Sequence, residues 1–431
     1  MWADVKLALA RVDRSGLTRA QKSAIRELEF EMRQQTRQGV KRSIEVSAST
    51  SRPLFRSFSS NFREQGELNH TFDWDGESMA VKLQSNLTSD PGDDATETQF
   101  NGSYIAGVLG EWVLGVGAID RWWGAGWQSN LIMTNNARPV PGLMFRTRRS
   151  QSFESPWLSW LGDWQFVSFI GQMESDRVVP EAKLTAMRFT FKPHSQIELG
   201  VSRVMQWGGD GRDEDLSVFW KSLTSQGENT SEEAGNQIAG FDARFSFSAL
   251  DRFPSAVYAQ FIGEDEASYM PSKYTAQFGL ESVFELPNGG DSVRGFLEFT
   301  NTTAGALGAE HTNTAYEHHI FQTGYRYRER VMGATFDNDS KAATLGAAFH
   351  QTNGELLALT LTYAQLNEDG VQRGNTVSAN ENSLYFIELK HQRMCLGGRL
   401  NLGVSYLSEA TVTVQQDIDQ AAVFGTWEYR Y

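Results

Sequence analysis

From Lys41 to the C-terminus, large apolar residues recur at every second position for almost the whole chain. Leu357, Leu359, Leu361 and Tyr363 alternate with Ala358, Thr360, Thr362 and Ala364. Leu400, Leu402, Val404 and Tyr406 alternate with Arg399, Asn401, Gly403 and Ser405, after a short turn at Met394-Cys395. Met187, Phe189 and Phe191 alternate with Arg188, Thr190 and Lys192. A period of two marks β-strands, whose successive side chains point to opposite faces. One face here is large and greasy while the other is small, polar or charged, as a strand between lipid and a wet lumen requires. A half-buried strand of a soluble sheet carries the same dyad. The number and length of the segments favour lipid: roughly eighteen or nineteen of them, many near the ~9–11 residues that a tilted strand needs to cross a bilayer. Bacterial barrels have even strand numbers, so the pattern predicts about eighteen. Short turns at Trp74-Asp75-Gly76, Leu109-Gly110-Glu111, Lys192-Pro193-His194 and Thr352-Asn353-Gly354 fall between longer linkers, the expected periplasmic–extracellular asymmetry. Between Ala249 and Ala343 the alternation breaks, and the pattern does not place the strands.

Ahead of residue 40 the period is helical. Trp2 to Arg11 and Thr18 to Arg37 read as helices, the second opened by a capping box in which Thr18 caps and Gln21 reaches back. Ile25, Leu28 and Met32 form a narrow apolar stripe flanked by Arg26, Glu27, Glu29, Glu31 and Arg33, which predicts a surface helix pair docked on a larger domain. No signal peptide opens the chain, so the natural N-terminus is expected to have been trimmed.

Composition narrows the classes. No run of eighteen uncharged apolar residues occurs, which excludes a helical membrane protein. The 39 glycines, 12 tryptophans and 12% aromatic content suit many tight turns and aromatic girdles. A net charge of −14 argues against a nucleic-acid partner, because phosphate binding needs a basic surface. The single Cys395 forms no internal disulfide, no Cys/His spacing resembles a zinc site, and neither metal nor cofactor is expected. At the C-terminus Val423, Trp427, Tyr429 and Tyr431 share one face and the chain stops on an aromatic. Outer-membrane barrels of Gram-negative bacteria end in such a strand, and exposed aromatics would be out of place on an ordinary edge strand.

Tryptophan is unevenly spread. Eight of the twelve (Trp122, Trp123, Trp127, Trp157, Trp160, Trp164, Trp207 and Trp220) lie between residues 122 and 220. Most fall where the dyad breaks: 120–127, 134–139, 153–157 and 206–212. Such loops suit sugars, since a pyranose packs its C–H face on an indole while its hydroxyls need forked donors and acceptors such as Asn, Asp and Arg. The competing reading is structural, with the tryptophans filling the barrel mouth and Arg121 and Arg138 pairing with Asp120 or Glu154 to hold folded-in loops. Gly124-Ala125-Gly126 lacks the third glycine of a dinucleotide fingerprint, and Gly208-Gly209-Asp210-Gly211 lacks calcium-loop spacing. His318 and His319, taken as adjacent strand positions, would point to opposite faces and are read as structural.

At these loops a family resemblance becomes specific. Asp120-Arg121-Trp122-Trp123-Gly124 through Trp127, then Asn135-Asn136-Ala137-Arg138-Pro139, resembles the signature of Wzi-type capsule-assembly outer-membrane proteins. Pro156-Trp157-Leu158-Ser159-Trp160, Gln206-Trp207-Gly208-Gly209, Gly240-Phe241-Asp242, Tyr325-Arg326-Tyr327-Arg328 and Asp337-Asn338-Asp339-Ser340 follow in order. The resemblance spans essentially the whole chain, and by that likeness the chain is expected to begin inside the family's N-terminal helical region. It implies an all-β transmembrane antiparallel barrel of eighteen strands over 41–431, helices over 1–40 at the periplasmic end, and loops folded over the outer mouth. It also implies a non-catalytic lectin that anchors capsular polysaccharide or another exopolysaccharide, with outer-membrane lipid and polysaccharide export machinery as further partners. The carbohydrate-binding or site-shaping residues would be Asp120, Arg121, Trp122, Trp123, Trp127, Asn135, Asn136 and Arg138, joined by Glu154, Trp157, Trp160, Trp207 and Arg212. An outer-membrane channel is the alternative. A barrel enzyme ranks last, since no G-x-S-x-G elbow is present.

Overall fold

The computed structural model describes residues 2–89, 98–224, 235–250, 253–267, 270–287, 290–305, 309–371, 375–413 and 417–431. Eighteen long strands run through them: β1 Gly39–Ser49, β2 Gly66–Asp75, β3 Met79–Ser89, β4 Tyr104–Leu109, β5 Trp112–Gly117 and β6 Gly142–Thr147. They continue as β7 Asp163–Gln172, β8 Lys183–His194, β9 Ile197–Trp207, β10 Gly235–Ala249, β11 Phe253–Ala267 and β12 Met270–Glu285. The last are β13 Ser292–Asn301, β14 Lys341–His350, β15 Leu356–Leu366, β16 Asn382–Cys395, β17 Gly398–Leu407 and β18 Ala421–Arg430. Each pairs antiparallel with the next, and β1 pairs with β18 from Ser43↔Arg430 to Ser49↔Phe424, so the sheet closes without an edge. Two further bonds, Arg42 N to Tyr431 O (3.1 Å) and Tyr431 N to Arg42 O (2.9 Å), extend this seam to the final residue.

The segment where the dyad broke down is now ordered: β11, β12 and β13 occupy 253–301, and a long connection fills 302–340 before β14. The described residues of that connection are irregular apart from a two-residue pairing of Arg326–Tyr327 with Arg330–Val331, which is why periodicity vanished there.

The faces follow the alternation. Leu359, Leu361, Tyr363, Leu402, Val404, Tyr406 and Val423 all point outward and are exposed, forming the lipid belt. On β18, Trp427 stacks on Tyr429 (5.7 Å) and Tyr429 on Tyr431 (5.8 Å), an outward aromatic column. Inward positions are of two kinds, apolar and buried at sites such as Leu184, Val204 and Ile262, and polar and paired elsewhere. Arg188 on β8 reaches across β9 to Asp242 on β10 with bonds of 2.6 and 2.9 Å, and donates to Ser202 at 2.9 Å. Gly200 makes room for that crossing, because a Cβ there would lie 2.6 Å from both the guanidinium and the carboxylate.

The two ends differ as expected. Strands at one end are joined mostly by tight turns, such as those at 76–78, 110–111, 195–196 and 396–397, and by short outer-membrane logic this end is periplasmic. Two helices, α1 Trp2–Arg11 and α2 Arg19–Gln35, sit at this same end, and the Thr18–Gln21 capping box is present as read. No helix among the described residues is long and apolar enough to cross a membrane.

The expected apolar docking stripe on α2 does not dock: Leu28 is exposed and Ile25 and Met32 are only half-buried. Charge holds the helix instead. Glu31 pairs with Arg399 and with Arg430 (3.2 Å), and Thr18 bonds Glu285 at 2.5 Å. Across the mouth, Asp4 of α1 accepts from Ser150 N (2.9 Å) and Gln165 Nε2 (3.0 Å). The wall near α2 is polar, so ion pairs are the available adhesive there. Burial raises the Glu31 carboxyl, but Arg399 and Arg430 beside it outweigh burial and hold it below the usual carboxylate range.

Two measurements check this account. Arg188→Ala strands the Asp242 carboxylate in the wall and should cost about 3–5 kcal/mol in urea unfolding followed by the barrel's gel shift, with Arg188→Met plus Asp242→Leu recovering most of it. A carboxyl depressed in the folded state gives stability that is complete above its unfolded value and lost as pH falls through the folded one. Hydrogen exchange in α2 should therefore be pH-independent, after correction for intrinsic rates, from about 8 to 5 and rise below roughly 4.5, and Glu31→Gln should abolish the acid-dependent change.

Candidate functional site: the plugged lumen and the long-loop face

A loop folded inside a barrel brings backbone N–H and C=O groups that water no longer serves, so inward side chains must serve them. The 118–141 connection does fold inside, and the barrel wall is built to receive it. Leu131 and Ile132 at its tip are fully buried. Gln260 accepts from Leu131 N (2.6 Å) and donates to Trp123 O (3.0 Å). Gln277 donates to Ser129 O (2.7 Å), and Glu298 accepts from Trp127 N and Gln128 N (2.9 Å) while Tyr258 holds it from the side (2.7 Å). The chain reverses tightly at Gly126, where a Cβ would lie 1.9 Å from Ser129 O.

Two further connections pack on this plug. From 302–340, Tyr316 and Tyr325 donate to Leu131 O (2.6 Å) and Ile132 O (2.8 Å), with Arg326 held between Asp337 (2.8 Å) and Glu317 (2.6 Å). From 50–65, Glu64 bridges Arg52 (2.9 Å) and Arg138 (2.5 Å), all three buried, and Arg63 donates to Asn136 O (3.0 Å) and Asp120 (2.9 Å). Burial pushes Glu317 up to about 7, with Arg326 opposing and Asp337 and Asp339 adding to the rise. Burial likewise lowers Arg121 to about 10, Asp120 opposing.

The predicted cluster is thus gathered, but most of it faces inward. Asp120, Arg121, Trp122 and Trp123 line a chamber of about 720 Å³ beneath the plug, whose walls include Trp2 of α1, Arg146 and Arg148. Trp122 donates to Gly126 O (2.9 Å) and meets Phe58 edge-on (5.5 Å); the Arg121 guanidinium lies 3.7 Å over Phe169. Trp123 is buried and bridges to Met133. Trp127 donates to Glu281 (2.6 Å) beneath the Arg294 guanidinium at 4.8 Å. Asn135 donates to Ser57 O (3.2 Å) and Asn136 to Val331 O (3.1 Å).

The pairing expected for Arg138 is corrected. Its partner is Glu64, and Arg121 stacks on a ring. Glu154, Trp157 and Trp160 lie in the 148–162 connection at the helical, short-turn end, away from the plug. Trp157 is 86% exposed and Trp160 meets Phe191 of the wall edge-on at 6.3 Å. The dyad breaks there because this is a long connection with a 3₁₀ turn at Ser159–Leu161, and exposed indoles at a barrel rim suit the membrane interface. Trp207 is buried, donating to Thr185 (3.0 Å) and packing on Phe219 of a third helix, α3 Leu216–Leu223. Arg212 stands 5.3 Å over Phe321. His318 and His319 lie in an irregular turn rather than a strand, rings 4.6 Å apart, and His318 Nδ1 accepts from Ile320 N and Phe321 N (both 3.1 Å).

Sequence reasoning noted strings of the 302–340 connection, among them Tyr325-Arg326-Tyr327-Arg328, but counted none of its residues among the site candidates. Gln322 and Glu329 of 302–340 are exposed and Arg328 half-buried, and no described residue of this connection lines the lower chamber. Beyond the family string that includes Arg328, their sequence signal is a polar, aperiodic run.

The Wzi capsule assembly protein model matches residues 34–425. The chain belongs to that family. A solved structure of Wzi from Escherichia coli, an outer-membrane protein involved in group 1 capsule assembly and described as a carbohydrate-binding β-barrel, is 27% identical with a TM-score of 0.88. The match covers 99% of this chain and 91% of that one. A protein encoded in the cps region of Klebsiella pneumoniae is 36% identical over 54% of this chain, and the match spans 46% of that relative's length. Pseudomonas aeruginosa OprD, 8% identical with a TM-score of 0.50 over 91% of this chain and 94% of its own, shares the fold alone. This Wzi-family chain is an outer-membrane β-barrel of eighteen strands.

Replacing residues 124–134 with a short Gly-Ser bridge removes the plug's tip and its wall contacts. Single-channel conductance in planar bilayers should then rise by roughly an order of magnitude over the intact protein.

Proposed function

We propose that this chain is a non-catalytic outer-membrane lectin that binds capsular polysaccharide, or a related exopolysaccharide, and anchors it at the cell surface. The observation that carries the reading is closure. A lumen in which Leu131 and Ile132 are fully buried and held by Gln260, Gln277 and Glu298 suits a rigid platform more than a conduit. Kinship supports the choice of ligand, since the Escherichia coli relative is described as carbohydrate-binding.

On this reading the polymer lies on the long-loop face. Gln322, Arg328 and Glu329 offer an amide, a guanidinium and a carboxylate there, the planar forked groups that sugar hydroxyls require, with the Arg328 guanidinium 5.5 Å from the Tyr327 ring. The cluster from Asp120 to Arg138 then shapes the platform from within, its rings turned into the barrel and its polar atoms engaged by neighbouring loops.

The test is binding of detergent-folded protein to the producing strain's own polysaccharide. Saturable binding by wild type is expected. Combining Gln322→Ala, Arg328→Ala and Glu329→Ala should weaken it about tenfold, near 1.4 kcal/mol, while Trp122→Ala stays within about twofold. A wild-type protein that binds no polymer yet conducts ions would overturn the proposal in favour of a channel.

A further inference from the structure

The 302–340 connection contains buried oxygens that its own chain leaves unserved. Asp337, Asn338 and Asp339 are all fully buried where this connection meets 367–381. Asp337 is saturated: Arg326, Asn338 N and Thr376 occupy its carboxylate. Asp339 is not. Its Oδ2 accepts from Asn313 N (2.8 Å) and Asn338 Nδ2 (3.3 Å), but its Oδ1 has no hydrogen-bond partner, and among the described residues no ion pair reaches it.

Two amide oxygens share this condition, Asn338 Oδ1 and Asn367 Oδ1, the latter also on a fully buried side chain. A reversed amide does not account for them. Asn338 Nδ2 already faces the Glu317 (3.2 Å) and Asp339 carboxylates, and Asn367 Nδ2 faces Val371 O (3.2 Å) and Ser378 O (3.0 Å). Turning either would set oxygen against oxygen. The three residues belong to one neighbourhood: Glu368 N donates to Asp339 O (2.9 Å), and Asn367 N approaches Ser340 Oγ (3.4 Å). Asn313 ties Asp339 to Asp369 through its backbone and side-chain amides.

Buried acceptors without donors, one of them charged, call for a positive group with no proton of its own to place. Hard divalent cations take carboxylate, amide and backbone oxygens together, and calcium tolerates the irregular geometry of such a set. We propose that Asp339 Oδ1, with the side-chain oxygens of Asn338 and Asn367, binds one calcium-class divalent cation that clamps the 302–340 connection to the 367–381 connection. Among the described residues no three carboxylate, histidine or cysteine groups converge, so backbone oxygens and water complete the shell. One carboxylate with neutral ligands places the affinity near 0.1–1 mM, on the order of extracellular calcium modules. This departs from the sequence expectation of no metal, and it does not depend on what the outer face binds.

The test uses the full chain folded in detergent free of lipopolysaccharide and stripped with chelator. Calcium should raise the midpoint of its thermal gel shift by a few degrees, saturating at about 1 mM, and the rise should vanish in Asp339→Asn. Terbium soaked into crystals of the wild-type protein should give an anomalous peak beside Asp339 Oδ1, a readout that stands even where the variant fails to fold. No calcium response in wild type, a response unchanged in Asp339→Asn, or terbium bound only elsewhere would overturn the proposal.

Discussion

Backbone polar groups taken into a barrel lose their water, and each must be given a protein partner or the loop that carries them will not stay inside. In this protein that requirement is met by four inward side chains, Gln260, Gln277, Glu298 and Tyr258, which project from adjacent strands β11 to β13 and grip residues 123–131. Once that grip is set, the rest of the upper half follows from it. The tip residues Leu131 and Ile132 present their carbonyls to Tyr316 and Tyr325, which fixes the 302–340 connection over the plug. The 50–65 connection closes the remaining side through buried ion pairs centred on Glu64. Removing one member of such a triad leaves an uncompensated buried charge, so these contacts specify one arrangement of the loops more than they add to its net stability.

The lower half is organised by a different force. There the wall near the helices is polar and a chamber remains, so the helices attach by ion pairs and hydrogen bonds at Glu31, Thr18 and Asp4. Apolar residues of the helices, Leu28 and Phe30 among them, stay exposed, because the wall near α2 presents polar and charged side chains such as Lys41, Asn69, Asp73 and Lys82. The two ends therefore answer to different conditions: packing and buried hydrogen bonds above, electrostatics sensitive to acid below.

Membership of the Wzi capsule assembly family and an architecture that is closed at its loops fit each other. On the proposed reading, a barrel whose upper lumen is occupied by its own loop works through its faces rather than as a conduit. On that reading the long-loop face rests on buried hydrogen bonds, and such preorganisation would lower the entropic cost of holding a large flexible polymer.

What the sequence determined by itself is the wall. Strict alternation over ten-residue segments, the aromatic terminus and the Thr18 capping box are local signals, and strands such as β8, β15, β17 and β18 and the start of α2 appear where those signals place them, whereas β11 to β13 lie in the stretch where the alternation gave no placement. The sequence also marked the loops that carry chemistry, through tryptophans and arginines that break the dyad. It could not say which way those loops fold, because no local periodicity records a contact between Leu131 and Gln260, 129 residues apart. Hence Trp122 and Asp120 turned out to look into the lower chamber, Arg138 found Glu64 rather than Glu154, and Trp157 and Trp160 fell at the opposite rim. Those assignments belong to the tertiary structure alone, since they depend on which strand end a connection leaves from and which inward side chains wait for it.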